Sequence, residues 1–181
     1  ILTILENVSD NTFTLNKTVL KMMKLYADNN EWDNVLEWVG KVSAGLLSTE
    51  QIEIKGKKVP SDKLSYYYKY TKALEKKENY TDCLAVCKDA LSEFPHDFWL
   101  RWRKAICLMH SDQTDDSISI FEELLLEKND WFLLRGAAEA YYNTEDFDKA
   151  FEYAIKACIE ASKSPSIGMT ADAFLTAGEI L

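Results

Sequence analysis

Three stretches of this chain align without gaps, and their regular spacing is the strongest constraint on the fold. Aligning NYTDCLAVCKDAL, QTDDSISIFEELL and DFDKAFEYAIKAC places Cys83, Ser117 and Ala150 in one column, at intervals of 34 and 33 residues. A period of this length is typical of arrays in which one helical hairpin packs against the next. The sequence therefore predicts repeated hairpins around one continuous core.

A fourth copy lies upstream, and a short insertion separates it from the others. Val35 in EWDNVLEWVGKV falls in the same column, but 48 residues before Cys83. The surplus matches residues 48–61, where Ile52 and Ile54 alternate with charged residues in the period of a strand. Gly56 allows a tight turn there. We expect a loop or a short β-hairpin inserted between two intact repeats.

The apolar pattern within each copy is helical. In the stretch from Ala140 to Ala157, two aromatic-rich helical halves flank a short polar turn. Ala150, Ala154 and Ala157 fall on one helical face, where small side chains let a neighbouring helix approach closely. Glycine and proline are scarce, with 6 and 3 copies among 181 residues. This composition favours a folded, mostly helical protein over an all-β or disordered one.

With this register the chain resembles the tetratricopeptide repeat family, whose members repeat a helix-turn-helix unit of about 34 residues. Three copies match the small and apolar motif positions, whereas the first copy along the chain is weaker, with Met23 where a small residue is usual. The matched residues are Leu134, Ala137, Ala138 and Tyr141 with Phe147, Ala150, Ala154 and Ala157; Tyr67, Tyr70, Thr71 and Leu74 with Tyr80, Cys83, Cys87, Ala90 and Pro95; and Phe174, Ala177, Gly178 and Leu181. The copy at about 97–130 departs from the motif, because the register places Arg101 and Lys104 at core positions.

The resemblance implies an all-α fold, a right-handed superhelical stack of antiparallel helix-turn-helix repeats with the insertion at about 48–61. It also implies a single domain over 15–181, preceded by an N-terminal remnant, 1–14. The expected repeats span about 15–47, 62–96, 97–130, 131–164 and, truncated, 167–181. The last helix carries only Asp172 and Glu179 as charges. We expect a further helix or a partner to cover its apolar outer face.

Charge and cysteine usage exclude several classes of protein. The net charge of -9 argues against bulk adhesion to nucleic acid or anionic membranes. No apolar run reaches the roughly 20 residues that span a bilayer. The four cysteines, at 83, 87, 107 and 158, lack the spacing of a zinc site. We interpret them as small buried residues of a cytoplasmic protein.

The sequence contains no catalytic constellation. It has no glycine-rich phosphate loop, no zinc-protease motif and no nucleophile elbow. His96 and His110, the only histidines, lie near helix ends, where capping or exposure is expected. We therefore expect no enzymatic activity, no cofactor and no metal.

The resemblance implies that the first helix of each repeat lines a concave groove. Projecting the register onto these helices gives seven basic residues against three acidic ones (Asp28, Glu75 and Glu139), a local charge of +4 within a chain of charge -9. Such a basic, aromatic groove is suited to an acidic protein or peptide, and tryptophan and arginine dominate binding hot spots. The predicted groove residues are Lys21, Lys24, Tyr68, Lys69, Lys72, Trp99, Trp102, Arg103, Phe132, Arg135 and Tyr142.

Three other interpretations remain open from the sequence. A shift of one residue in the third repeat makes Trp102 a packing residue only. The lysines and arginines could instead contact phosphates while Trp99, Trp102 or Tyr68 stacks on bases, although the net charge disfavours nucleic acid. The chain could also be a regulatory domain of a larger enzyme.

Overall fold

The computed structural model describes residues 12–54, 56–163 and 167–180, and it divides the chain into two compact units, 1–95 and 96–181. The described residues confirm an all-α repeat fold with one small β-hairpin. The expectation that residues 15–181 form a single domain concerns how these two units join, and it stays a prediction. The expected N-terminal remnant lies largely outside the described residues.

The first unit contains two helical hairpins and the insertion between them. Its elements are α1 (Thr12–Asp28), α2 (Trp32–Val39), a 3-10 turn (Ala44–Leu46), β1 (Ile52–Ile54), β2 (Lys57–Val59), α3 (Asp62–Lys76) and α4 (Tyr80–Glu93). Helix α1 pairs with α2 and α3 with α4, and α2 also packs against α3.

The second unit contains two further hairpins and one more helix. Its elements are α5 (Phe98–Met109), α6 (Thr114–Glu127), α7 (Trp131–Asn143), α8 (Phe147–Ser162) and α9 (Ile167–Ile180). Each helix packs against the next, from α5 to α9, and α7 also contacts α5 and α9. None of the described helices is both long and apolar enough to cross a membrane.

The predicted column of small residues lies in the core. Val35, Cys83, Ser117 and Ala150 are all fully buried. The Ser117 hydroxyl donates to the carbonyl of Ala105 at 2.8 Å, and so satisfies the one polar group of its side chain. Because a small side chain sits where the two helices of each hairpin meet, the helices can approach closely in every repeat.

The insertion at 48–61 folds as the predicted hairpin. Strands β1 and β2 pair antiparallel, with Ile52 opposite Val59. Gly56 has φ of 76°, in the left-handed region that glycine adopts at no steric cost. Side chains cap the starts of α3 and α5. The Ser61 hydroxyl accepts from the Leu64 amide at 3.2 Å, and the Asp97 carboxylate accepts from the Leu100 amide at 2.9 Å.

The second helix ends at Val39, eight residues before the expected end of the first repeat at about residue 47. Gly40, a poor helix former, follows it. The buried Asn16 side chain of α1 then accepts a hydrogen bond from the Ser43 amide at 3.2 Å. This bond anchors the segment after α2 to α1, and the chain continues as a 3-10 turn.

The third hairpin tolerates its unusual residues because they lie at the edge of the core. Arg101 is half-buried, and its guanidinium donates to Glu123 at 3.0 Å and to Glu127, both on α6. These carboxylates raise the pKa of Arg101. At this position an ion-pair bridge between α5 and α6 replaces the apolar contact of the motif.

The same left-handed turn closes all four described hairpins. Asn30, Glu78, Asp112 and Glu145 have φ of 59°, 56°, 54° and 61°. In each turn the following amide bonds to the carbonyl five residues earlier, as Asp146 does to Tyr141 at 3.1 Å. This is the Schellman closure, in which glycine is the preferred left-handed residue.

We expect Glu145→Gly to stabilise the protein by about 0.5–1 kcal/mol, because glycine adopts this conformation without the Cβ clash. Glu152→Gly is the matched control, since Glu152 is an exposed residue inside α8. That change should instead cost about 1 kcal/mol in helix propensity. Urea unfolding of both variants measures the two effects. A destabilised Glu145→Gly protein would contradict the expectation.

Candidate ligand-binding site

An aromatic cluster lies at the start of α5 and α7. The Trp99 ring stacks on Phe132, with centroids 5.7 Å apart and an interplanar angle of 17°. Trp102 meets both rings edge-on, at 5.8 Å and 5.5 Å. Three residues that the sequence assigned to the groove are therefore in contact. Trp99 remains 45% exposed, whereas Trp102 and Phe132 are half-buried.

This cluster forms one wall of a cavity of about 700 Å³, which we call the aromatic pocket. Its size lies within the range of small-molecule and side-chain binding sites. Helices α5, α7 and α9 and the end of α8 supply its walls. The lining residues are Trp99, Trp102, Ile106, Asp130, Trp131, Phe132, Arg135, Gly136, Glu160, Lys163 and Asp172.

Trp102 serves both the core and the pocket. It packs against the buried cluster that contains Phe121 and Leu133, and it also lines the cavity. Its indole Nε1 is buried without a hydrogen-bond partner in the described part of the chain. The Arg103 guanidinium lies 4.9 Å from the ring centroid. Burial lowers the pKa of Arg103 to about 10.

Arg135 and Glu139 lie side by side on α7. Arg135 Nε is 3.3 Å from Glu139 Oε1 but is not aligned for a hydrogen bond with it. The Arg135 guanidinium also lies 5.9 Å from the centre of the Trp131 ring. Burial raises the pKa of Glu139, and the charge of Arg135 opposes that shift. Solvent screens the pair, because each side chain is about one-third exposed.

A second cavity, of about 210 Å³, continues along the same three helices toward their C-terminal ends. We call it the polar pocket. Its lining residues are Met109, His110, Glu139, Tyr142, Asn143, Thr176, Glu179 and Ile180. Tyr142, also assigned to the groove from the sequence, lies here rather than in the aromatic pocket. It is 43% exposed and meets Phe147 edge-on at 5.7 Å.

The five remaining predicted groove residues lie in the first unit. Lys24 pairs with Asp28 at 2.6 Å, and Lys69 donates to the hydroxyl of Ser65 at 2.5 Å. Burial is the main cause that lowers the pKa of Lys69, and the charge of Lys24 adds to it. The other three are the exposed Lys21, the half-buried Tyr68 and Lys72, whose ammonium lies 5.3 Å from the Trp32 ring centroid.

Sequence reasoning missed the contribution of α9. Asp172 lines the aromatic pocket, and Thr176 and Glu179 line the polar pocket, at successive intervals of four and three residues. This is the spacing of one helical face. The repeat register pairs Phe132 with Asp172 and Glu139 with Glu179, so it identifies these two in the truncated last repeat but not Thr176.

Comparison with protein families agrees with the fold. A model of the tetratricopeptide repeat matches residues 74–136. A comparison with curated proteins finds no match.

Solved structures of repeat proteins share the architecture at low sequence identity. A tetratricopeptide repeat protein named YrrB, described as having an unusual peptide-binding site, is 15% identical with a TM-score of 0.68. The match covers 96% of this chain and 85% of that one. A thermophilic tetratricopeptide repeat protein from Thermus thermophilus is 14% identical with a TM-score of 0.66, over 97% and 88% of the two chains.

A third structure is PcrH in complex with the chaperone binding region of PopD. PcrH is a protein of Pseudomonas aeruginosa. In the complex it is 16% identical to this chain with a TM-score of 0.59, and the match covers 66% of this chain and 91% of that one. At these identities the likeness establishes the fold alone. Together with the family match over 74–136, it shows that the chain has a tetratricopeptide-type helical-repeat fold.

Proposed function

We propose that this protein is a non-enzymatic interaction scaffold whose second unit binds a peptide, or a segment of a partner protein, in the aromatic pocket. The observation that carries the proposal is the pocket itself, about 700 Å³ walled by three tryptophans and a phenylalanine. An indole left 45% exposed at its rim gains apolar burial when a ligand covers it. Tryptophan and arginine are also the residues most enriched in binding hot spots.

The structural neighbours support a polypeptide ligand. YrrB is described as having a peptide-binding site, and PcrH is seen with a binding region of PopD. Both proteins share the helical-repeat fold of this chain. A preformed pocket needs little rearrangement on binding, which lowers the entropic cost of association. A cytoplasmic location is part of the same proposal.

Trp99→Ala should weaken the binding of a peptide selected from a random displayed library by at least about tenfold, because it removes the exposed wall of the pocket. Phe151→Ala is the matched control. Phe151 is an aromatic residue with the same exposed fraction, 45%, on α8 outside the pocket. Fluorescence anisotropy with the selected peptide gives both affinities. Equal losses in the two variants would rule out the aromatic pocket as the binding site.

An acidic partner is the second part of the proposal, and it concerns the first unit. Lys21, Lys24 and Lys72 are exposed there, with Lys69 half-buried on the same helix as Lys72. Lys21→Glu with Lys72→Glu should abolish any binding of a polyglutamate peptide. Lys57→Glu with Lys58→Glu, on the inserted hairpin, is the control. Unchanged binding in the first variant would leave the acidic-partner proposal without support.

The outer face of α9 is the third part. Phe174 and Leu175 are 56% and 66% exposed, whereas Ala173 and Ala177 on the same helix are buried. We propose that a further helix or a partner covers this face, because apolar surface of this kind marks an interaction site. Sedimentation at high concentration should show self-association that Phe174→Lys with Leu175→Lys removes. A strictly monomeric wild-type chain would contradict this.

A further inference from the structure

The aromatic pocket and the polar pocket follow one another along α7. Phe132 and Arg135 line the aromatic pocket, and Glu139 and Tyr142 line the polar pocket about one to three turns further on. Helices α5 and α9 also contribute to both. Seven residues separate Phe132 from Glu139, which corresponds to about 10 Å along a helix. A single short ligand segment can therefore reach both pockets.

The pockets differ in chemistry. Four aromatic rings line the first, beside three carboxylates and two cationic side chains. Two carboxylates, an imidazole and an amide line the second, from Glu139, Glu179, His110 and Asn143, and no lysine or arginine is among its described lining residues. Across both, acidic lining residues outnumber basic ones by five to two among the described residues. The acidic residues are Asp130, Glu139, Glu160, Asp172 and Glu179, and the basic ones are Arg135 and Lys163.

Part of this negative charge is already compensated within the unit. Lys128 pairs with Asp130, and Lys163 pairs with Glu160 at 2.5 Å. Arg135 compensates Glu139 only in part, because its Nε is not aligned for a hydrogen bond. The excess negative charge therefore lies along the face of α9 that turns toward the pockets, at Asp172 and Glu179. A ligand with a cationic group would complement it.

The cation belongs in the polar pocket and not against the indole rings. Arg103 lies over the Trp102 ring, and Arg135 lies near the Trp131 ring, at 4.9 Å and 5.9 Å. These guanidinium groups would repel a further cation there. In the polar pocket a cation would meet two carboxylates, Glu139 and Glu179, of which Glu139 already lies beside Arg135. It could make charge-assisted hydrogen bonds with them.

We propose that the second unit recognises an extended peptide segment carrying a large apolar or aromatic side chain, which fills the aromatic pocket, and an arginine or lysine three positions away, which enters the polar pocket. This proposal rests on the proposed function of the aromatic pocket and adds its ligand class. Side chains three positions apart in a polyproline-II segment lie on the same side, about 9 Å apart. That distance matches the separation of the pockets along α7.

Selection of random displayed peptides on the full chain tests the proposal. We expect enrichment of sequences that combine an aromatic or large apolar residue with a basic residue three positions away. Enrichment of aromatic residues without the basic one, or with an acidic one, would overturn this inference while leaving the proposed function intact. Enrichment that Trp99→Ala does not reduce would overturn both.

Charge reversal sharpens the test. In Glu179→Arg, the affinity for a peptide with phenylalanine and arginine three positions apart should fall by about tenfold. The affinity for the same peptide with glutamate in place of arginine should rise. Glu139→Gln is a second variant, which removes the charge with little change in shape and should also weaken the arginine peptide. Glu53→Arg, on the inserted hairpin, is the matched control and should change neither affinity. If Glu179→Arg and Glu139→Gln both keep the wild-type preference for the arginine peptide over the glutamate peptide, the proposal is wrong.

Discussion

Gly136→Ala is expected to destabilise the protein by about 1–3 kcal/mol, although alanine is the better helix former by about 1 kcal/mol. A Cβ at Gly136 would lie 2.5 Å from two ring carbons of Phe121. The Phe121 ring is fully buried between α6 and α7, in a cluster with Leu124 and Leu133, and has no free space to retreat into. The clash therefore outweighs the propensity gain.

A double-mutant cycle separates the clash from the propensity. In the Phe121→Leu background the ring carbons are gone, so Gly136→Ala should stabilise the protein by up to about 1 kcal/mol. Gly45→Ala is a control for glycine replacement, because a Cβ at Gly45 would meet nothing within 4 Å. Urea unfolding of the four proteins measures the coupling. If Gly136→Ala has the same sign in both backgrounds, Phe121 is not the cause.

Ala154→Leu is expected to cost about 3 kcal/mol, near the upper end of overpacking penalties. Ala154 is almost fully buried among Ala138, Cys158, Ala173 and Ala177, so it lies where α7, α8 and α9 meet. A larger side chain must move α8 away from both neighbours at once. Because α9 carries one wall of each pocket, the same change should also weaken peptide binding.

Ala171→Leu is the matched control, since Ala171 is exposed on the opposite side of α9. It should change the free energy of unfolding by less than about 0.5 kcal/mol. Thermal and urea unfolding together report the difference. If the two variants have similar free energies of unfolding, the three helices can separate without a loss of stability, contrary to the packing described.

The buried column and the helix starts were predictable from the sequence because they depend on local rules. Small residues at intervals of 34 and 33 positions are visible without any structure, and Ser61 and Asp97 are the residue types that cap helices. The early end of α2 was not predictable. It depends on a bond from the Ser43 amide to Asn16, which lies 27 residues away, and no local pattern reports such a contact.

The candidate site was predictable in part. Helical projection of α5 and α7 brought Trp99, Trp102 and Phe132 to one face, and the structure joins them in one cluster. The projection assigned no walls to α8 or α9, so it missed Glu160 and Asp172. Most of the predicted positive charge came from lysines of the first unit, whereas the pockets of the second unit also receive carboxylates from outside α5 and α7.

The left-handed turns at Asn30, Glu78, Asp112 and Glu145 have a consequence for how the chain folds. Each closes its hairpin through a bond spanning five residues, so every hairpin can form before distant segments meet. Folding that depends mainly on contacts between residues close in sequence is fast, and it can start at more than one hairpin. We then expect the protein to unfold locally, one hairpin at a time. The rate of backbone amide hydrogen exchange should therefore differ from hairpin to hairpin.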